Sequence, residues 1–443
     1  MKHKLIVLAV ATIFLSARVS AQEKKQLTLG DAINLGITNS KQLKNSEAKI
    51  EEATAALKEA VEKRLPNASV NGSYLRLNNP NIDLKTKSNS SSGGNTNQTP
   101  QVSQAIYGLL NVSLSVYSGG KISYGIESSK YLEQAAKLDA EDDKDEVIQN
   151  TIEAFANLFK ANTAVRLVKE NLLQSQHRVQ DFENLVNNGL MARNDLLKAR
   201  LQTSNTEMNL LDAENNLQLA NVNMNLMLGL PVNTELALDT TGIVKKNDSR
   251  VLPDFLQEAL NSRKDAEALD LRKKAAESGV KIVKAEMYPS LQLTSGYIAA
   301  DIPKFLTITN AVNIGVGVSY NIGSLWKTKS KVQQAEAKVK QYNITKAIME
   351  DNITLQVNKS YFSLVSSRKK IEVTAKALEQ ATENYRIVKN KFDNNLANAT
   401  DLLEADTALL QARLANTLSK ADAFVAYHKL LQTAGVLASD LKK

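Results

Sequence analysis

The chain has 443 residues, no cysteine and 5% aromatic residues, and its 55 Lys and Arg against 47 Asp and Glu give a net charge of +8. The lack of cysteine excludes disulfides, thiolate metal sites and thiol catalysis. The charges are interspersed rather than clustered, which predicts a solvated helix surface and argues against a nucleic-acid partner.

Residues 1–21 have the features of a secretory signal peptide. The segment starts with Lys and His residues, continues with an apolar run over 5–15, and ends in the small-residue sequence Val19-Ser20-Ala21. An apolar run of about eleven residues is too short to cross a bilayer as a helix. We therefore expect an exported mature protein that starts near Gln22.

The first repeat, 22–230, is predicted to start with a helix and to continue with two strands over about 67–77 and 105–117. Aliphatic residues in the second strand alternate with Asn and Ser, a pattern typical of a strand with one apolar and one polar face. An Asn-Ser-Gly-rich loop is expected between the strands.

A long helical hairpin over 121–229 completes this repeat. Its first helix, 121–187, should be about 100 Å long. Apolar residues recur every seven positions from Leu158 to Val186, which predicts coiled-coil packing. A turn at Asn188-Gly189 then reverses the chain, and Asn194 is the predicted N-cap of the returning helix.

A second copy follows an irregular connector at 231–252. The second repeat, 253–443, is predicted to contain a helix, strands over about 290–298 and 307–320, and a hairpin over 327–435. A shift of 206 residues aligns the two hairpins without a gap, from Phe155 on Tyr361 to Gly229 on Gly435. Internal duplication of this kind predicts two structural repeats.

The two copies differ where the second strand passes into the long helix. The first copy has Ser118-Gly119-Gly120 before Lys121, whereas the second has Asn321-Ile322-Gly323 before Lys327. The second turn therefore carries three extra residues, Ser324-Leu325-Trp326.

The small and polar strand residues are predicted to line the wet lumen of a membrane barrel whose apolar face meets lipid. A soluble sheet would also alternate, but four strands are few and their polar positions lack Lys and Glu. Because an open edge is not tolerated in hydrocarbon, closure requires two or three chains. The predicted lumen-facing residues are Asn111, Ser113, Ser115, Asn313, Gly315, Gly317 and Ser319.

No constellation for catalysis or for a cofactor is recognisable. His177 and His428 are isolated, and no glycine-rich loop carries the Lys-Ser/Thr continuation of a phosphate site. We therefore expect no enzymatic activity, no cofactor and no bound metal.

Asp401 and Glu404 stand three apart at the start of the second returning helix, whose predicted N-cap is Thr400, so the two acids should share a helix face. In an oligomer they would form rings of carboxylates that select cations. Alternatively, they only complement the helix dipole. Asp195 and Lys198 are the counterpart in the first repeat.

The succession of elements and the turn motifs resemble the TolC-like outer-membrane efflux proteins, over essentially the whole mature chain. The first turn reads Leu185-Val186-Asn187-Asn188-Gly189 and continues to Asp195-Leu196-Leu197-Lys198-Ala199. The second reads Phe392-Asp393-Asn394-Asn395-Leu396 and continues to Asp401-Leu402-Leu403-Glu404-Ala405.

The resemblance implies a mainly α-helical membrane protein that forms a homotrimer. Its four strands per chain would make a twelve-strand barrel among the lipids of the Gram-negative outer membrane, continuous with a twelve-helix periplasmic tunnel. A periplasmic adaptor protein and an inner-membrane transporter are the implied partners. The implied adaptor-contacting tips are Asn188, Gly189, Leu190, Asn395, Leu396 and Ala397.

In this family two acids narrow the periplasmic aperture, and they fall here on Asp401 and Glu404, with Asp195 beside them. Ala397 stands where some members have an aperture-locking Arg, and Asn395 stands where they have glycine. Efflux of drugs and toxic compounds is the implied function. A duct for type I protein secretion, or a secreted coiled-coil structural or adhesive protein, are the alternatives.

Overall fold

A computed structural model describes residues 25–78, 102–239, 249–303 and 305–441. The predicted signal peptide and most of the predicted loop between the first two strands lie outside these residues. The described chain is dominated by helix, as predicted. None of its helices has a stretch apolar enough to cross a membrane.

The chain divides into two compact units. We call the residues up to Ala48, Leu138–Glu267 and Ala347–Lys443 the hairpin unit, and Lys49–Lys137 with Ala268–Lys346 the strand unit. The strands are β1 Lys25–Leu27, β2 Asn67–Arg76, β3 Gln104–Tyr117, β4 Leu236–Leu238, β5 Ser290–Ile302 and β6 Leu306–Ser319. The helices are α1 Leu29–Asn39, α2 Lys41–Glu62, α3 Lys121–Asn187, α4 Arg193–Leu228, α5 Leu252–Ser262, α6 Lys264–Ala285, α7 Ser324–Asp393, α8 Ala399–Thr433 and α9 Leu437–Asp440.

Four strands of the strand unit form an antiparallel sheet in the order β2-β3-β5-β6. Strand β5 continues to Ile302, beyond the predicted end at 298, because its ladder with β6 resumes after a register shift between Ile298 and Ala300. A tight turn closed by the hydrogen bond from Phe305 N to Ile302 O (2.9 Å) joins the two strands. The connection between β5 and β6 is therefore short.

The register of this sheet gathers the small and polar residues on one face. Asn111 pairs with Gly296, which pairs with Asn313, and the next such row contains Ser113 and Gly315. The opposite face of β6 carries aliphatic side chains that are 67–78% exposed, namely Val312, Ile314, Val316 and Val318. The sheet thus has one apolar and one polar face, as the alternation predicts.

Helix α7 begins three residues before the predicted start at 327. The extra residues form its first turn, because Ser324 N donates to Asn321 O (2.9 Å) and Lys327 N donates to Gly323 O (3.1 Å).

The hairpin unit contains a second, two-stranded sheet in which β1 and β4 run parallel. Strand β4 lies inside the connector that the sequence predicts to be irregular. Leu27 and Leu236 are buried there against Phe155, Met224 and Leu228, so apolar contacts hold this short pairing. The described first part of the connector, 231–239, therefore packs against the core of the hairpin unit.

Candidate functional site

The first hairpin tip is a glycine-dependent turn. Gly189 lies two residues after the end of α3 and has φ +71°, a conformation that costs a residue with a side chain about 1–2 kcal/mol. Two hydrogen bonds close the turn, from Gly189 N to Val186 O (2.9 Å) and from Leu190 N to Leu185 O (2.8 Å). Leu190 is exposed beyond the turn.

The second tip has the same backbone conformation as the first, but asparagine instead of glycine takes the left-handed position. Asn395 has φ +57°, and Leu396 N donates to Lys391 O (2.7 Å). Asparagine tolerates this conformation better than other residues with side chains. The replacement of glycine by Asn395 therefore leaves the turn geometry intact.

The N-caps of the two returning helices each lie two residues before the predicted positions. They are Ala192 and Asn398, not Asn194 and Thr400. Asn398 Oδ1 accepts from Asp401 N (2.9 Å), and Asp401 Oδ2 accepts from Asn398 N (3.2 Å), which is a capping box. Ala192 makes no side-chain cap, so only the second returning helix has this local support.

The predicted acids therefore differ in what they bind. Asp401 is part of the capping box, whereas exposed Glu404 lines an open groove of about 370 Å³ with Lys198 and Thr400. Asp195 Oδ1 lies 3.4 Å from Lys198 Nζ, which also donates to Thr400 Oγ1 (2.9 Å). Within the described chain, no group of three or more metal-ligating side chains is placed to hold an ion.

A shared apolar cluster holds the two tips together. Phe182 is buried and its ring lies 5.4 Å from that of Phe392, measured between centroids. The buried members of the cluster are Phe182, Leu196, Ala199, Ala399, Leu402 and Leu403. The side chains at each hairpin tip are thus held in position by apolar contacts with the other tip.

A buried ion pair between α3 and α8 was not expected from the sequence. Arg178 Nη1 lies 3.0 Å from Asp406 Oδ2, and the two side chains are only 9% and 4% exposed. Asn171 Nδ2 donates to the same oxygen (3.1 Å). Burial disfavours the charged guanidinium, whereas the hydrogen bond and charge of Asp406 favour it with help from Tyr385, and the pKa of Arg178 is raised overall.

One sequence signal points to this pair. The shift of 206 residues aligns Asp406 with Arg200 and Arg178 with Asn384. The pair therefore has no equivalent in the other copy, where the position of Asp406 carries the opposite charge.

Comparison with known proteins identifies the architecture. A family model described as "Outer membrane efflux protein" matches residues 32–230 and 255–436. The cobalt-zinc-cadmium resistance protein CzcC of Cupriavidus metallidurans is 24% identical over 344 residues, which are 76% of this chain and 76% of that protein.

Two solved structures have the same fold. The CmeC outer membrane channel of Campylobacter jejuni superposes with a TM-score of 0.78 at 17% identity, over 94% of this chain and 88% of its own. The outer membrane protein VceC of Vibrio cholerae has a TM-score of 0.74 at 19% identity, over 92% and 96%. The resemblance drawn from the turn motifs is confirmed: the chain belongs to the outer membrane efflux protein family, whose members are channels of the Gram-negative outer membrane and not enzymes.

Proposed function

We propose that this chain is the outer-membrane duct subunit of a tripartite efflux system, which passes small molecules from the periplasm to the exterior without an energy source of its own. The observation that carries this proposal is that the described chain has surfaces that need a partner and that could cover one another between copies of the chain. They are the two outer edges of the sheet and two apolar stripes along the hairpins.

The sheet edges call for further strands. Strands β2 and β6 each pair with one neighbour only among the described residues. Unpaired strand edges are not stable in hydrocarbon. A homotrimer would pair β6 of one chain with β2 of the next and close a barrel of twelve strands, with the polar face of Asn111 and Asn313 toward the lumen.

The apolar stripes match the same assembly. On α4, Leu201, Met208 and Leu211 are exposed, and on α7, Leu355 and Phe362 are 66% and 60% exposed. The spacing of these residues is heptad-like, which favours helix partners rather than solvent. Each stripe therefore needs a covering helix.

The internal duplication indicates which helix covers each apolar stripe. Within the chain, α3 contacts α8 through Lys160 and Asp422, whose Nζ and Oδ1 atoms lie 2.9 Å apart. The shift of 206 residues turns α3 into α7 and α8 into α4. The equivalent contact therefore joins Ser366 on α7 of one chain to Asn216 on α4 of the next.

The tips would then form the periplasmic aperture and the adaptor-binding surface. Three copies would gather Asp401 and Glu404 into rings of carboxylates, with Asp195 beside them. Residues Asn188–Leu190 and Asn395–Ala397 would contact a periplasmic adaptor, which couples the duct to an inner-membrane transporter. The name of the relative CzcC points to divalent cations, so we include them with drugs and other toxic compounds among the candidate cargo.

Crosslinking tests the assembly, because the chain has no cysteine of its own. We expect S366C/N216C, treated with a short bismaleimide in outer membranes, to give covalent trimers, and the native mass in detergent to equal three chains. R368C/N216C is the matched control, because a residue two positions along a helix faces away. A soluble or monomeric protein would contradict the duct.

Conductance tests the aperture. Because Asp401 also caps α8, Glu404 gives the cleaner variant. We expect E404Q to weaken divalent-cation block in planar bilayers, because the ring loses its charge. E379Q, an exposed glutamate about 20 Å from the tip along α7, should behave as the parent. Equal block in both variants would remove Glu404 from the aperture.

A further inference from the structure

The turn that leads from β6 into α7 exposes an apolar cluster. Ile322, Leu325 and Trp326 are 62%, 57% and 65% exposed. We call these three residues the Trp326 cluster. Trp326 is the only tryptophan of the chain. Large apolar side chains at this exposure call for a partner surface.

Hydrogen bonds within the turn fix the backbone that carries the Trp326 cluster. Ser324 Oγ donates to Asn321 O (2.6 Å), and Leu325 N donates to Ile322 O (3.1 Å). Ser324 and Thr328 are buried beneath it. The backbone therefore holds the three apolar side chains outward.

The equivalent turn of the first repeat is covered by protein instead. A Cβ atom added to Gly119 would lie 2.7 Å from Ala285 O and 2.9 Å from Tyr288 Cβ. Gly119 therefore has no room for a side chain, and the turn Ser118-Gly119-Gly120 carries no large apolar residue. The Trp326 cluster is thus a feature of the second copy alone, brought by its three extra residues.

Two properties of the neighbouring chain indicate what covers the cluster. The exposed apolar face of β6, which includes Val316 and Val318, continues through Tyr320 directly into it. Lys327 and Lys329 then follow, both exposed. A continuous order of aliphatic face, aromatic ring and lysine is the order in which a membrane protein crosses from hydrocarbon to headgroup and water.

We propose that the Trp326 cluster is an anchor for an anionic phospholipid leaflet. The indole ring lies at the headgroup level, Ile322 and Leu325 enter the acyl region, and Lys327 and Lys329 bind lipid phosphates. The occupant is lipid rather than a second copy of the chain, since the surface is continuous with the apolar strand face. This inference rests on the outer-membrane location and not on the efflux duct.

The single tryptophan makes the test specific. The protein is reconstituted into vesicles whose lipids carry bromine either near the headgroup or near the end of the acyl chain, and Trp326 fluorescence is recorded. We expect a clear loss of fluorescence with shallow bromines and a smaller loss with deep ones. Absence of quenching by both lipids, which is the result if a second copy covers the indole, would overturn the proposal.

Two matched variants test the lysines. In vesicles that contain phosphatidylglycerol, K327Q/K329Q should lower the shallow quenching toward its value in purely zwitterionic lipid. K338Q/K340Q removes the same charge about 16 Å further along α7, beyond a Debye length at physiological salt, and should leave quenching unchanged. Equal effects of the two variants would show a general charge effect and contradict phosphate binding at this turn.

Discussion

At the first hairpin tip a glycine takes the left-handed position and α4 begins without a side-chain cap, whereas at the second tip an asparagine takes that position and α8 begins with a capping box. The two backbones close with equivalent hydrogen bonds, from Leu190 N and from Leu396 N. Duplication has therefore preserved the geometry of the turn and not the residues that stabilise it. The second tip therefore has a side-chain cap that the first tip lacks, while both tips share the apolar cluster around Phe182.

The largest expected effect comes from the buried pair that joins the two hairpins. Arg178→Met leaves Asp406 charged and buried without its cation, which should lower the free energy of unfolding by about 3–5 kcal/mol. The double variant R178M/D406L should recover most of this loss. Thermal unfolding in detergent measures both. If the single and double variants unfold together, the pair does not hold the tips in this way.

Glycine at the first tip should matter more than asparagine at the second. Gly189→Ala forces a side chain into φ +71° and should cost about 1–2 kcal/mol. Asn395→Gly relieves a similar conformation and should change stability little. Limited proteolysis at the tips reports the difference. Equal sensitivity of the two variants would contradict the distinction between the tips.

The next largest effect on stability is expected from substitutions at the N-caps of α4 and α8. Asn398→Ala should destabilise α8 by about 1 kcal/mol, since the side-chain acceptor for Asp401 N is lost. Ala192→Asn should stabilise α4 by a smaller amount, because it supplies the cap that the first tip lacks. Amide hydrogen exchange over the first turn of each helix measures both changes. A protective effect of A192N confined to α4 would support a local cause.

The smallest expected effect on stability comes from Asp142, a charged residue whose counterpart in the second repeat is apolar. The shift of 206 residues aligns Asp142 on α3 with Ile348 on α7. Partial burial, with the nearby charge of Asp265, raises the pKa of Asp142 to about 6.

Because the folded state holds this proton more tightly than the unfolded chain, the stability contributed by Asp142 is present below about pH 4 and lost as the pH rises through about 6. Asp142→Asn should therefore unfold at a higher temperature than the parent at pH 7.5 and near the parent value at pH 4. The gain should be modest, since the side chain keeps contact with solvent. A gain that is independent of pH would exclude titration as its cause.

The sequence predicts the regular parts of this fold well, because periodicity is a sum over many residues. The alternation in β6 and the unbroken length of α3 follow from patterns of this kind. Helix starts are harder, because the predicted caps Asn194 and Thr400 each stand two residues after the observed caps, Ala192 and Asn398, and only the backbone decides which position is used. The pair of Arg178 and Asp406 was missed because charged residues on a long helix are normally solvated, and the partner lies on another helix.

The outer edges of β2 and β6 have no partner strand in the part of the chain that the structure describes, and this has a consequence for biogenesis. Before it meets two other copies, a newly exported chain presents both edges and the bare aliphatic face of β6 to any strand it encounters. Productive closure then competes with aggregation at those edges, and its rate rises with the concentration of the chain. The yield of assembled protein should therefore depend on how long single chains are kept from pairing with the wrong strands.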